Sequence, residues 1–175
     1  MEAGMNVFEF AMKMEEDGKA YYQGLADRTS QPGLKTIFVQ LAEDEQKHFE
    51  TFRMLKEGKG APEMQDSDVI AEAKNVFETL PSGTIALKGM EDALAGYDHA
   101  MDLEAQSFKF YERVAREERD PKTKELLTRI AIEERKHYNI LENIYSFINA
   151  PNQSLDWAEF SNLSEFSQFG REKDL

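Results

Sequence analysis

Leu41-Ala42-Glu43-Asp44-Glu45-Gln46-Lys47-His48 and Ile130-Ala131-Ile132-Glu133-Glu134-Arg135-Lys136-His137 decide how this chain is read. Both stretches end in Glu-x-x-His. In a helix, residues three apart share a face, so each Glu and its His project together. Both also sit on a face that is otherwise apolar. The heptad-spaced positions 34, 38, 41, 45, 48, 52 and 55 are apolar except for Glu45 and His48. The set 127, 130, 134, 137, 141, 144 and 148 is apolar except for Glu134 and His137. Charged groups on a core face are costly unless they are paired or bound to metal.

The two stretches lie 89 residues apart, and the chain matches itself at that offset. Ala11 falls on Ala100, Met12 on Met101, Glu15 on Glu104, Tyr22 on Tyr111, Ala26 on Ala115 and Pro32 on Pro121. The repeat therefore carries a second anomaly. Glu15 interrupts the apolar stripe between Ala11 and Tyr22, and Glu104 interrupts the one between Met101 and Phe108. An internal repeat of this kind marks a duplicated structural unit.

Period and punctuation make the chain all-α. Helices are expected over about 4–28, 34–57, 83–118 and 121–148, with short connections at Thr29-Ser30-Gln31-Pro32-Gly33 and Asp120-Pro121. Proline at or near the first turn marks the start of a helix. A short helix with Val69, Ile70, Ala73, Val76 and Phe77, capped by Asp66 or Ser67, is expected inside the long link. The expected architecture is a four-helix bundle over 1–150, made of two helical hairpins. Repeat units span about 5–57 and 94–146, with a crossover at 58–83. The segment 151–175 holds Leu155, Trp157, Phe160, Leu163, Phe166 and Phe169. It is expected to dock on the bundle or on a partner subunit.

Depth brings the anomalous residues level. Glu15 lies about 13 residues before its turn and Glu45 about 12 after the start of the next helix. Glu104 and Glu134 lie at similar distances from theirs. Antiparallel helices each rise 1.5 Å per residue, so all six groups meet in one layer. Four carboxylates and two imidazoles suit two divalent cations, whose charge cancels that of the four carboxylates. Hard oxygen donors with imidazole favour iron or manganese, and zinc is also compatible.

Composition narrows the partners. The chain has 175 residues, a formal net charge of −13 and no basic run, which argues against a nucleic-acid binder. No run of 18 apolar residues is present, so no membrane span is expected. The first residues lack the pattern of a secretory signal, and the default location is the cytoplasm. With no Cys, the chain has no disulfide, thiolate nucleophile, Cys-ligated zinc or built-in iron–sulfur relay.

Over about residues 5–148 the sequence resembles the rubrerythrin branch of the ferritin-like superfamily. The resemblance rests on the paired motifs, on Met14-Glu15-Glu16-Asp17-Gly18-Lys19-Ala20-Tyr21-Tyr22 and on Leu41-Ala42-Glu43-Asp44-Glu45. It implies a ferritin-like four-helix bundle with Glu15, Glu45, His48, Glu104, Glu134 and His137 as ligands of two iron ions cycling between Fe2+ and Fe3+. Glu45 and Glu134 would bridge the two. No catalytic residue beyond the ligands is expected.

Tyr22 and Tyr111, two turns after Glu15 and Glu104, are expected to hydrogen-bond ligand carboxylates. By analogy with bacterioferritins, which share the paired motif, Asp44 is expected to orient His137, and Glu133 to orient His48. His99 falls outside both motifs and is assigned to the surface or to packing. Ser107 stands where peroxide-active rubrerythrins typically carry an extra carboxylate, and Gly18 is its repeat mate. Haem is not implied, because Gln46 replaces the Met of haem-binding bacterioferritins. The implied activity is oxidoreduction with hydrogen peroxide or O2, drawing electrons from an external donor such as a rubredoxin or reductase. The protein would act as a homodimer or higher homo-oligomer. An iron-binding ferroxidase store and a manganese catalase-like enzyme are the alternatives.

Overall fold

The computed structural model describes residues 6–64, 67–79 and 94–149. The aromatic segment 151–175 and residues 65–66 and 80–93, which include the cap candidate Asp66, lie outside them. Among the described residues there are five helices: α1 Val7–Arg28, α2 Pro32–Lys56, α3 Val69–Thr79, α4 Leu94–Glu117 and α5 Pro121–Asn149. The fold is all-α. No helix among the described residues is long and apolar enough to cross a membrane.

Local chemistry sets the helix ends. α1 begins at Val7 rather than near residue 4, because Asn6 forms a capping box. The Asn6 side chain accepts from the Phe8 amide at 2.9 Å, and Glu9 accepts from the Asn6 amide at 3.2 Å. This satisfies two amides that the first turn leaves without partners. α2 and α5 each begin with proline, whose missing N–H costs nothing at that position. Asp120 caps α5 by accepting from both the amide (2.8 Å) and the hydroxyl (2.7 Å) of Thr123. Ser67 accepts from the Val69 amide at 3.2 Å, as expected at the start of the short helix. Gly58, at φ +69°, breaks the chain away from α2.

The core divides into two apolar clusters. One gathers Leu25 of α1, Leu34, Phe38 and Leu41 of α2, Val69 and Ala73 of α3, Tyr97 of α4, and Leu141 and Ile144 of α5. The other gathers Ala11, Phe52, Phe108, Tyr111, Leu127 and Ile130. Each of α1, α2, α4 and α5 contributes to both clusters, and the order of its residues gives its direction. α1 runs antiparallel to α2, α4 antiparallel to α5, and α1 antiparallel to α4. The crossover must therefore travel the length of the bundle. Met64 packs in the second cluster and Val69 in the first, so Ser67 passes the level between them.

The crossover helix α3 approaches α2 at Gly33. A Cβ built there would sit 2.5 Å from Val76 Cγ1, closer than any real contact. Gly33→Ala is expected to cost about 1–3 kcal/mol of stability through overpacking. Gly33→Ala with Val76→Ala is expected to cost less than the sum of the single changes, as measured by urea unfolding. Strict additivity would show that α3 does not dock this way.

Candidate metal centre

Between the two apolar clusters lies a layer of ionisable side chains. Glu15 comes from α1, Glu45 and His48 from α2, Glu104 from α4, and Glu134 and His137 from α5. None is more than 3% exposed. Helical spacing explains the arrangement: Glu45 and His48, like Glu134 and His137, are one turn apart on the buried faces of α2 and α5.

The layer forms two overlapping groups of potential ligands. Glu15, Glu45, His48 and Glu134 make one; Glu45, Glu104, Glu134 and His137 make the other. Within each, one donor atom per residue lies within 4.8 Å of the others. Glu45 and Glu134 belong to both groups. The two imidazoles face each other across the layer, with ring centroids 6.0 Å apart.

Each ring turns Nδ1 inward. His48 Nδ1 is 2.9 Å from Glu134 Oε1 and 3.5 Å from both Glu15 Oε2 and Glu45 Oε2. His137 Nδ1 is 3.3 Å from Glu45 Oε1 and 3.7 Å from Glu104 Oε1. Yet both Nδ1 atoms, Glu104 Oε2 and Glu134 Oε1 lack a partner in hydrogen-bonding geometry. Lone pairs that converge from several sides without bonding one another match what cations would require. The donor set of carboxylate oxygen and imidazole nitrogen fits two divalent transition-metal ions.

The outer atoms of the layer are held across the hairpins. His48 Nε2 donates to Glu133 Oε2 at 3.0 Å, so Nδ1 is the nitrogen that a cation would take once its proton is displaced. His137 Nε2 faces Asp44 Oδ2 at 3.6 Å, ion-pair range but beyond a hydrogen bond. Aspartate is one methylene shorter than glutamate, and Asp44 is engaged elsewhere: it accepts from Lys47 Nζ at 2.7 Å and from the Ser67 hydroxyl. The Tyr22 hydroxyl donates to Glu104, and the Tyr111 hydroxyl donates to Glu15. Both tyrosines thus reach the carboxylate of the opposite repeat unit.

The sequence gave no warning of Ser67's hydrogen bond to Asp44. A serine in the crossover has no motif to mark it, and the contact depends on the path of the crossover. His99 is exposed and packs its ring on Tyr21, with centroids 5.1 Å apart, away from the layer.

Mutual burial shifts every group. Burial pushes the carboxyls of Glu15, Glu104 and Glu134 above the usual range, and negative charge on Glu45 adds to it. Glu45 goes the other way. Burial opposes its ionisation, but the adjoining Glu15 carboxyl and the closeness of both imidazoles prevail. Burial also opposes charge on His48 and His137, but the surrounding carboxylates hold both well above 6.5. Asp44 is held low, against its burial, by His137, Lys47 and Ser67. Burial and the adjacent carboxylates keep the Tyr22 and Tyr111 phenols protonated, so they remain donors.

The family model described as Rubrerythrin matches residues 6–145. Neither the curated proteins nor the solved structures yield a significant match.

These shifts fix the sign of a pH dependence. Acids with raised values destabilise the fold as pH rises above their ordinary 4.5. Histidines with raised values stabilise it fully below 6.5, and that contribution is lost as pH rises through the folded value. Glu45 and Asp44, held low, lose their contribution only as pH falls into the acid range. With metal chelated, the protein is expected to be most stable near about pH 5 and to weaken steadily towards about pH 8. Metal replaces protons in the layer, so metal-loaded protein is expected to gain stability over that interval. Thermal unfolding with chelator and with added metal checks both slopes; identical slopes would refute the coupling.

Proposed function

The chain belongs to the rubrerythrin family, and from that premise we propose that it is a di-iron oxidoreductase that reduces peroxide or reacts with oxygen. The observation that carries this reading is the pair of overlapping ligand groups sharing Glu45 and Glu134. Glu15 and His48 would complete one iron site, Glu104 and His137 the other, and the two shared carboxylates would bridge them. Manganese and zinc fit the same donors. When bound, the metal pair supplies the electrons that a peroxide or oxygen accepts. The four ligand carboxylates balance the charge of two ferrous ions, which is how such a layer tolerates burial.

The protein's own side chains prepare that chemistry. Glu133 holds the proton at His48 Nε2, so Nδ1 is available as a donor. Asp44 faces His137 Nε2 at ion-pair range and favours a proton there through its charge, without a hydrogen bond. Tyr22 and Tyr111 hold one oxygen each of Glu104 and Glu15, which fixes the orientation of the unshared carboxylates. Apolar clusters on both sides keep bulk water from the layer. With no cysteine in the chain, the reductant is assigned to a separate donor such as a rubredoxin or reductase.

Protein purified without oxygen is expected to hold two irons per chain and to be oxidised rapidly by hydrogen peroxide but slowly by O2, followed optically. Zinc alone with no redox response would overturn the reading. A many-subunit cage on gel filtration would favour iron storage instead. Glu45→Ala and Glu134→Ala are each expected to lose most of the metal, and full stoichiometry in both would refute the proposed layer.

A second expectation follows from the unequal contacts to the imidazoles. Glu133→Ala is expected to weaken metal binding about 10–100-fold, and Asp44→Ala by less. A competitive chelator titration measures both, and the reverse order would contradict the geometry.

A further inference from the structure

Between α1 and α4 the packing opens into a cavity of about 140 Å3. The metal-ligand layer is its floor: Glu45, Glu104 and Glu134 all line it. Glu104 Oε2 and Glu134 Oε1 are buried there without hydrogen-bond partners. Gly18 and Ser107, each one turn beyond Glu15 and Glu104, border the space. A Cβ on Gly18 would lie 3.6 Å from the carboxyl carbon of Glu45, so a longer side chain would occupy the room above that carboxylate. Ser107 fills the space with only a hydroxymethyl group. Higher up, Phe10, Met14 and Leu103 form an apolar wall, and the exposed Asp17 and Gln106 mark the mouth.

Volume and chemistry together limit what this cavity suits. A water-sized molecule occupies about 30 Å3, whereas an apolar cavity of about 150 Å3 accommodates benzene. The space is therefore several times what hydrogen peroxide fills. Phe10, Met14 and Leu103 offer a hydrocarbon surface that hydrogen peroxide leaves unused, so a peroxide with a hydrocarbon body matches the site better. Such a body would gain from leaving water against Phe10, Met14 and Leu103.

We propose that the α1–α4 cavity binds organic hydroperoxides, ROOH, with the hydrocarbon group against Phe10, Met14 and Leu103 and the peroxy group turned to Glu104 and Glu134. This rests on the di-iron reading and specifies its substrate class. The O–O bond breaks, two electrons come from the reduced metal pair, and two protons come from solvent. The products are ROH and water, and a separate one-electron donor protein restores the reduced pair. Gly18 and Ser107 determine specificity by leaving the space open.

A redox-inert readout tests the cavity first. Zinc-loaded protein is expected to bind tert-butyl alcohol, the product of tert-butyl hydroperoxide, in a calorimetric titration. Ser107→Phe and Leu103→Trp, both at partly exposed positions, are expected to weaken that binding about tenfold or more while keeping two zinc ions and the wild-type Tm. In single turnovers of ferrous protein, both variants are expected to slow tert-butyl hydroperoxide about tenfold more than hydrogen peroxide. Absence of alcohol binding to the zinc protein, or equal slowing of both oxidants in both variants, overturns the proposal. Reaction with hydrogen peroxide but not with tert-butyl hydroperoxide overturns this proposal and leaves the di-iron reading intact. Failure with both peroxides and with O2 overturns the di-iron reading itself.

Discussion

Four carboxylates and two imidazoles share one buried layer, and their desolvation is the constraint to which the rest of the fold responds. Removing a single ion from water costs several kcal/mol even after the surroundings relax. The layer reduces that cost in two ways. Protons redistribute, so that Glu15, Glu104 and Glu134 favour the neutral form while both histidines favour the charged one. Alternatively, divalent cations would replace the protons. Because the same atoms serve both solutions, metal affinity, pH and stability are linked in this molecule.

That constraint also binds the two hairpins together. Neither hairpin completes the layer. Tyr22 of the first unit holds Glu104 of the second, and Tyr111 holds Glu15 in return. His48 leans on Glu133, and His137 faces Asp44. These polar contacts run between repeat units, while the apolar clusters above and below supply the burial. Phe38 stacks on Tyr97 on one side of the layer, and Phe52 stacks on Tyr111 on the other, so aromatic contacts between the hairpins bracket it. Charged residues at the centre thus specify which faces meet, and apolar residues supply the driving force.

The six layer residues were legible in the sequence because they violate it locally. An acid or histidine at a heptad core position stands out, and the 89-residue repeat shows each violation twice. Prolines 32 and 121 marked the turns for an equally physical reason, since they lack the amide that a first turn does not use. The start of α1 was placed three residues early, because apolar period alone does not register the Asn6 capping box. Ser67 was legible as a helix cap, but its bond to Asp44 was not, because that contact depends on the route of the crossover. The cavity between α1 and α4 was likewise invisible. Ser107 and Gly18 stood out only as departures from a family pattern, and nothing in their spacing revealed the open volume beside them.

Where the repeat fails is as informative as where it holds. Ligands and tyrosines are duplicated, yet the groups behind the histidines differ: Glu133 on one side, Asp44 on the other. The shorter side chain stops 3.6 Å from its imidazole, whereas Glu133 comes to 3.0 Å. The crossover passes the layer at Asp44, where Ser67 and Lys47 engage its oxygens. A single connection between two hairpins can run past only one flank of the bundle, so a duplicated unit cannot keep its surroundings duplicated. The half served by His137 therefore has a more loosely held imidazole and a direct tie to the link between the hairpins. Two cations in this layer would share bridging carboxylates while resting on unequal supports. The source of that inequality is the topology of the chain, outside the ligand set.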